Sequence, residues 1–137
     1  MHNILIVEAN EIYSDTLLST LANKNYFKPV VCTTGYPALE AVELKHFDLI
    51  IVDSDLPYLS GLKTAMSLKK RIGPDKTPFV IISQGEENEL RGFVSIGVAG
   101  FIREPLKKTQ IADVVSRVLV EWKGEKDNCK SINDYKK

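Results

Sequence analysis

A chain of 137 residues, 44% hydrophobic and 26% charged, has room for one globular core and no second domain of comparable size. Eighteen Lys and Arg against eighteen Asp and Glu leave a formal net charge of zero, which argues against nucleic acid or an anionic membrane as a partner held by bulk charge. The start lacks a basic flank, and its apolar run ends at Glu8. That is too short for a signal peptide or a span, so a cytoplasmic protein is expected. Cys32 and Cys129 lack the spacing of a metal or redox pair and read as free thiols.

In chain order, residues 4–7 form a short buried strand. Asn10 is placed to cap a helix reaching about Ala22, with Ile12, Leu17, Leu18 and Leu21 as its apolar stripe. Residues 27–33 make a second strand, and Pro29 assigns it to a sheet edge because proline cannot donate to an interior ladder. Gly35-Tyr36-Pro37 opens a helix to about Lys45.

Residues 48–52 are a strand that begins at Asp48 and runs apolar from Leu49 to close on Asp53, followed by Ser54-Asp55-Leu56-Pro57 and Gly61. Such a run, bounded by turn signals, suits a strand buried on both faces of a parallel sheet. A helix with Leu62, Ala65, Met66 and Leu68 runs to about Ile72 and stops at Gly73-Pro74. Residues 79–82 form a fourth strand and 86–96 a helix weakened by Gly92, with Glu86-Glu87-Asn88-Glu89 as a solvated start. Residues 99–103 give a fifth strand. Residues 107–122 give a fifth helix on which Ile111, Val114, Val115, Val118 and Leu119 share a face, with Trp122 read as core. From 123 to 137 the composition turns polar and reads as a tail or linker. His2 and His46 read as surface residues.

Alternating strands and helices give an α/β, doubly wound parallel sheet, because right-handed crossovers place helices on both faces. Its carboxyl edge gathers Glu8, Asp53, Ser83 and Glu104 in one crevice, where open α/β sheets hold their chemistry. Asp55 is read as either a crevice side chain or a solvent-facing loop acid.

With this order of elements, the Asp53 to Gly61 segment and these strand-end residues, the chain resembles the response-regulator receiver family over roughly residues 3–122. The resemblance implies a flavodoxin-like sheet of five strands in the order 2-1-3-4-5 with five helices. It also implies a phosphoryl group accepted on Asp53 from the phosphohistidine of a sensor histidine kinase or phosphotransfer protein, with Mg2+ bound. Phosphoryl transfer to a carboxylate requires the charge on the transferring oxygens to be neutralised, and magnesium takes hard oxygen ligands.

Against that pattern, Glu8 keeps the first of two acids that hold the metal, and Ala9 replaces the second. The implied metal set is Glu8, Asp53 and Asp55, weakened by Ala9. Ser83 keeps the hydroxyl that contacts the phosphoryl group, Glu104 replaces the lysine that pairs with it, and Phe101 holds the place of an aromatic residue that turns inward on activation. Unit charges about 4 Å apart attract by roughly 4 kcal/mol at an effective dielectric of about 20, so replacing lysine by glutamate turns a large attraction into repulsion. Arg103, Lys107 or Lys108 would have to fold inward to compensate.

The expected function is therefore a two-component receiver module that is not an enzyme, with weakened phosphorylation of Asp53. Its output would be docking of a protein on the fourth helix, fifth strand and fifth helix, with a homodimer left open. One alternative is a pseudo-receiver that binds its partner regardless of phosphate. Another is a small phosphohydrolase using Asp53-Ser54-Asp55 as an Asp-x-Asp pair, disfavoured because no later strand carries paired acids.

Overall fold

The computed structural model describes residues 2–73 and 76–122. Five strands, β1 (His2–Val7), β2 (Phe27–Cys32), β3 (Leu49–Asp53), β4 (Phe79–Ser83) and β5 (Gly100–Arg103), alternate with five helices, α1 (Glu11–Ala22), α2 (Gly35–Leu44), α3 (Gly61–Ile72), α4 (Glu87–Ile96) and α5 (Lys108–Glu121). All ladders are parallel, in the order β2-β1-β3-β4-β5. Every residue of β3 and β4 is buried, as expected for central strands covered on both faces. Pro29 lies on the edge strand β2, where its missing N–H costs no interior ladder bond.

The alternation of side chains along the strands divides the core into two layers. Ile4, Ile6, Leu49, Ile51, Val80 and Ile82 face α1 and α5, meeting Leu17, Leu21, Ile111, Val115 and Val118. Leu5, Val7, Ile50, Val52, Phe79 and Ile81 face α2, α3 and α4, meeting Ala38, Ala65, Leu68, Leu90 and Phe93. Trp122 packs against the first layer. Among the described residues, no helix is long and apolar enough to cross a membrane.

Two apolar assignments from the sequence need correction. Ile12 is 74% exposed and Met66 49% exposed, so neither belongs to its helix's buried stripe. In α1 the inward face is instead Ser14, Leu17, Thr20 and Leu21. The Ser14 and Thr20 hydroxyls donate to the carbonyls of Glu11 and Thr16 at 3.1 and 2.7 Å, which satisfies their polarity within the helix and lets them be buried. The polar-tail reading of 123–137, Cys129 within it and the stop at Pro74 all lie outside the described residues.

Candidate functional site: a buried acid pair at the carboxyl edge

Register alone brings the strand-end residues together. Val7 pairs with Val52, so the next residues, Glu8 and Asp53, sit side by side. Asp53 pairs with Ile82, and Ser83 with Arg103, which places Ser83 and Glu104 on the other flank. Main-chain bonds carry the order past the last pairs: Glu8 N–H donates to the Cys32 carbonyl at 3.0 Å, Ser54 N–H to Ile82 at 2.9 Å and Glu104 N–H to Ser83 at 2.9 Å.

The segment after Asp53 is shaped by contact. A side chain at Gly61 would collide with the main-chain oxygen of Asp53 and with Ser54, so only glycine lets α3 begin this close to the strand. Ser60 caps that helix by accepting from the Lys63 N–H at 3.2 Å. Asp53 Oδ1 accepts the Asp55 N–H at 2.8 Å. The Asp55 side chain itself faces solvent, so this residue serves Asp53 through its backbone.

Glu8 and Asp53 are 1% and 4% exposed, and their carboxyls hydrogen-bond to each other. One Glu8 oxygen, Oε2, accepts the Asn10 N–H at 3.1 Å, while no donor reaches its buried Oε1. Two carboxylates cannot share such a contact, but a proton on Glu8 makes it a donor to Asp53. Burial, then the hydrogen bond and charge of Asp53, push the Glu8 carboxyl up to about 9. Burial also raises Asp53, against the hydrogen bonds from Glu8 and from the Asp55 amide.

Glu104 is half-buried beside this pair. Its carboxyl is raised by burial and then by the charge of Asp53, while hydrogen bonds from Gln84 and the Tyr13 phenol hold it down. Tyr13 is in turn raised by burial and by the charges of Glu104, Asp53 and Glu8. Among the described residues, no ion pair joins Arg103, Lys107 or Lys108 to these acids.

Ser83 is fully buried, and its hydroxyl donates to Glu89 Oε1 at 2.8 Å while accepting the Gly85 N–H at 3.0 Å. Glu89 was read from sequence as part of a solvated helix start. Glu86 is the residue of that run that caps α4, accepting from the Asn88 and Glu89 amides. Tyr13, Gln84 and Glu89 lie outside the set expected from sequence: Tyr13 and Glu89 reach the site from helices α1 and α4, and Gln84 follows Ser83 at the end of β4. Phe101 is buried, at 5% exposure, in the layer that holds Leu90 and Phe93. His2 and His46 flank Asp48 at 3.9 and 3.4 Å, away from the acids.

A family model described as the response regulator receiver domain matches residues 4–116. The chain belongs to the receiver-domain family. This receiver is 28% identical over 117 residues to the hybrid signal transduction histidine kinase G of Dictyostelium discoideum, covering 83% of this chain and 3% of that protein. It is 25% identical over 112 residues to the sensor histidine kinase GacS of Pseudomonas protegens, covering 79% of this chain and 12% of that protein. The receiver thus spans a small part of either relative.

Among solved structures, a CheY-like receiver domain protein of Methanospirillum hungatei superposes with a TM-score of 0.79 at 18% identity, covering 89% of this chain and 96% of that one. The receiver domain of the sensor histidine kinase PA1611 of Pseudomonas aeruginosa gives 0.72 at 19% identity, covering 88% and 96%, and carries a magnesium ion in its active-site cleft. These likenesses establish the flavodoxin-like fold.

The residues of this receiver do not fit that ion as arranged. Ala9 offers no side-chain oxygen, and the buried Glu8 carboxyl is turned to the Asn10 amide and to Asp53. Among the described residues, no group of three His, Cys, Asp or Glu side chains converges as a metal site. Of the set Glu8, Asp53 and Asp55 expected from sequence, Glu8 and Asp53 are buried and Asp55 is exposed, with its charge still acting on Asp53 and Glu104.

Proposed function

We propose that this chain is a two-component receiver module in which Asp53 keeps the phosphoacceptor position but is phosphorylated weakly, and whose output is docking to another protein. The observation that carries this reading is the buried Glu8–Asp53 acid pair. A carboxylate attacks phosphorus only when ionised and unencumbered, and the developing charge must meet cations or donors. Here the attacking carboxylate is shared with a neighbouring acid, Glu104 adds repulsion, and Ala9 weakens any magnesium site.

Input would come from a sensor histidine kinase or a phosphotransfer protein, and output through the face formed by α4, β5 and α5. We assign the protein to the cytoplasm, end its receiver unit with α5 near residue 122, and treat 123–137 as a tail or linker. A homodimer through the output face is a question for solution sizing. A phosphorylation-independent pseudo-receiver is a second reading, favoured by Phe101. Its ring already lies in the core, so inward packing of that aromatic residue needs no phosphoryl signal.

The test is incubation of the full chain with MgCl2 and a small acyl phosphate, followed by intact mass and peptide mapping. A scarce adduct confined to Asp53 and absent in Asp53→Asn supports weak phosphorylation, and no adduct supports the pseudo-receiver. Labelling equal to that of an ordinary receiver would overturn both. Sustained turnover of a phosphate ester would instead favour the Asp-x-Asp phosphohydrolase.

A further inference from the structure

A serine hydroxyl has one proton to give, and in this molecule the proton of Ser83 is given to Glu89 Oε1 at 2.8 Å. The Gly85 N–H occupies a lone pair of the same oxygen at 3.0 Å. As long as this arrangement holds, Ser83 has no donor to turn toward Asp53. Glu89 is the third residue of α4, and in a capping box that residue folds back to the amide of the cap. Here the Glu86 carboxylate caps the turn by itself, accepting from the amides of Asn88 and Glu89 at 3.0 and 2.9 Å. The Glu89 side chain is thereby free to cross to the end of β4. On the inner side of the helix, Leu90 and Phe93 are each 1% exposed. The first turn of α4 is therefore gripped from two directions, by apolar packing beneath it and by a charge-assisted hydrogen bond to a buried strand end.

We propose that Glu89 is a positioning residue that pins α4 to the end of β4 through the Ser83 hydroxyl, supplying from within the fold the acceptor that a phosphoryl oxygen on Asp53 would otherwise supply. The proposal deepens the receiver reading, on which it rests for the meaning of a phosphoryl group at Asp53, but the pin exists without phosphate. Its consequence is that the position of α4 is set by a fixed carboxylate. A phosphoryl group on Asp53 would have to compete with Glu89 for one proton, and success would loosen the first turn of α4.

Amide hydrogen exchange on the full 137-residue chain, with no phosphodonor present, tests the pin directly. Glu89→Ala and Ser83→Ala should each speed exchange at amides 88–93 by about ten-fold, the size expected when one charge-assisted bond is lost. The double variant should be no faster than either single one. Glu89→Gln keeps an acceptor oxygen and loses the charge, so it should retain most of the protection, which an effect of charge on the helix dipole alone would not allow. Additive single effects, an unchanged α4, or Glu89→Gln behaving as Glu89→Ala would overturn the proposal. So would an equal acceleration in α1, which would mean general destabilisation. Phosphodonor labelling of the wild type is read separately: strong labelling of Asp53 would defeat weak phosphorylation while the exchange pattern still decides the pin.

Discussion

The carboxyl of Glu8 meets the carboxyl of Asp53 at the ends of adjacent parallel strands, and both groups are closed off from water. Like charges in such contact cannot both be ionised, and the site resolves the conflict by keeping a proton. Burial is the main reason that Glu8 retains it up to about 9.

That proton makes stability depend on pH. The folded Glu8 carboxyl titrates at about 9 against 4.5 for the free group, so between these values the folded chain holds a proton that the unfolded chain has released. The contribution is fully present below the unfolded value and is lost as pH rises through the folded one. Stability should fall from pH 5 to 9 with a slope from this group of at most about 1.4 kcal/mol per pH unit. Glu8→Gln, which is neutral at every pH, should flatten the profile and be the more stable protein at pH 8. Urea denaturation at several pH values checks this, and identical pH profiles for the two proteins would count against the protonated pair.

The sequence makes the scaffold and the strand-end acids legible because a strand buried on both faces is a continuous apolar run, at whose end an acid stands out. Register then leaves no freedom: once Val7 lies beside Val52, Glu8 must lie beside Asp53. The Ser83–Glu89 bond was not legible, because it depends on how the first turn of α4 is aimed, which Glu86 decides by capping that turn alone. Ile12 was misplaced for a related reason. Hydrophobicity favours it for the buried stripe, yet the helix turns Ser14 and Thr20 inward with their hydroxyls bonded to their own backbone.

Close approach at Gly61 should be costly to disturb. Gly61→Ala puts a methyl group into the main-chain oxygen of Asp53 and into Ser54, and backbone cannot move aside as a flexible side chain would. A loss of about 1–3 kcal/mol is expected from overpacking, measured by urea unfolding. A loss below about 0.5 kcal/mol, the size of an ordinary surface change, would mean that α3 does not start against the strand as described.

Ala9 and Glu104 should be repairable. Ala9 is exposed, so Ala9→Asp adds a carboxylate without a packing penalty and should tighten magnesium binding by about ten-fold, since hard oxygen ligands are what that ion requires. Calorimetric titration with MgCl2 reads this. Adding Glu104→Lys should then raise phosphodonor labelling of Asp53 above that of either single variant. Equal labelling of wild type and double variant would place the defect elsewhere.

The protonation state of the pair is the point on which the reading of weak phosphorylation turns, and carbon-13 NMR of the Glu8 and Asp53 side-chain carboxyls from pH 3 to 10 observes it directly. With Glu8→Gln and Asp53→Asn used for assignment, the pair should retain one proton at pH 7 and the Glu8 signal should move at about 9. Complete ionisation of both carboxyls before pH 6 would contradict it.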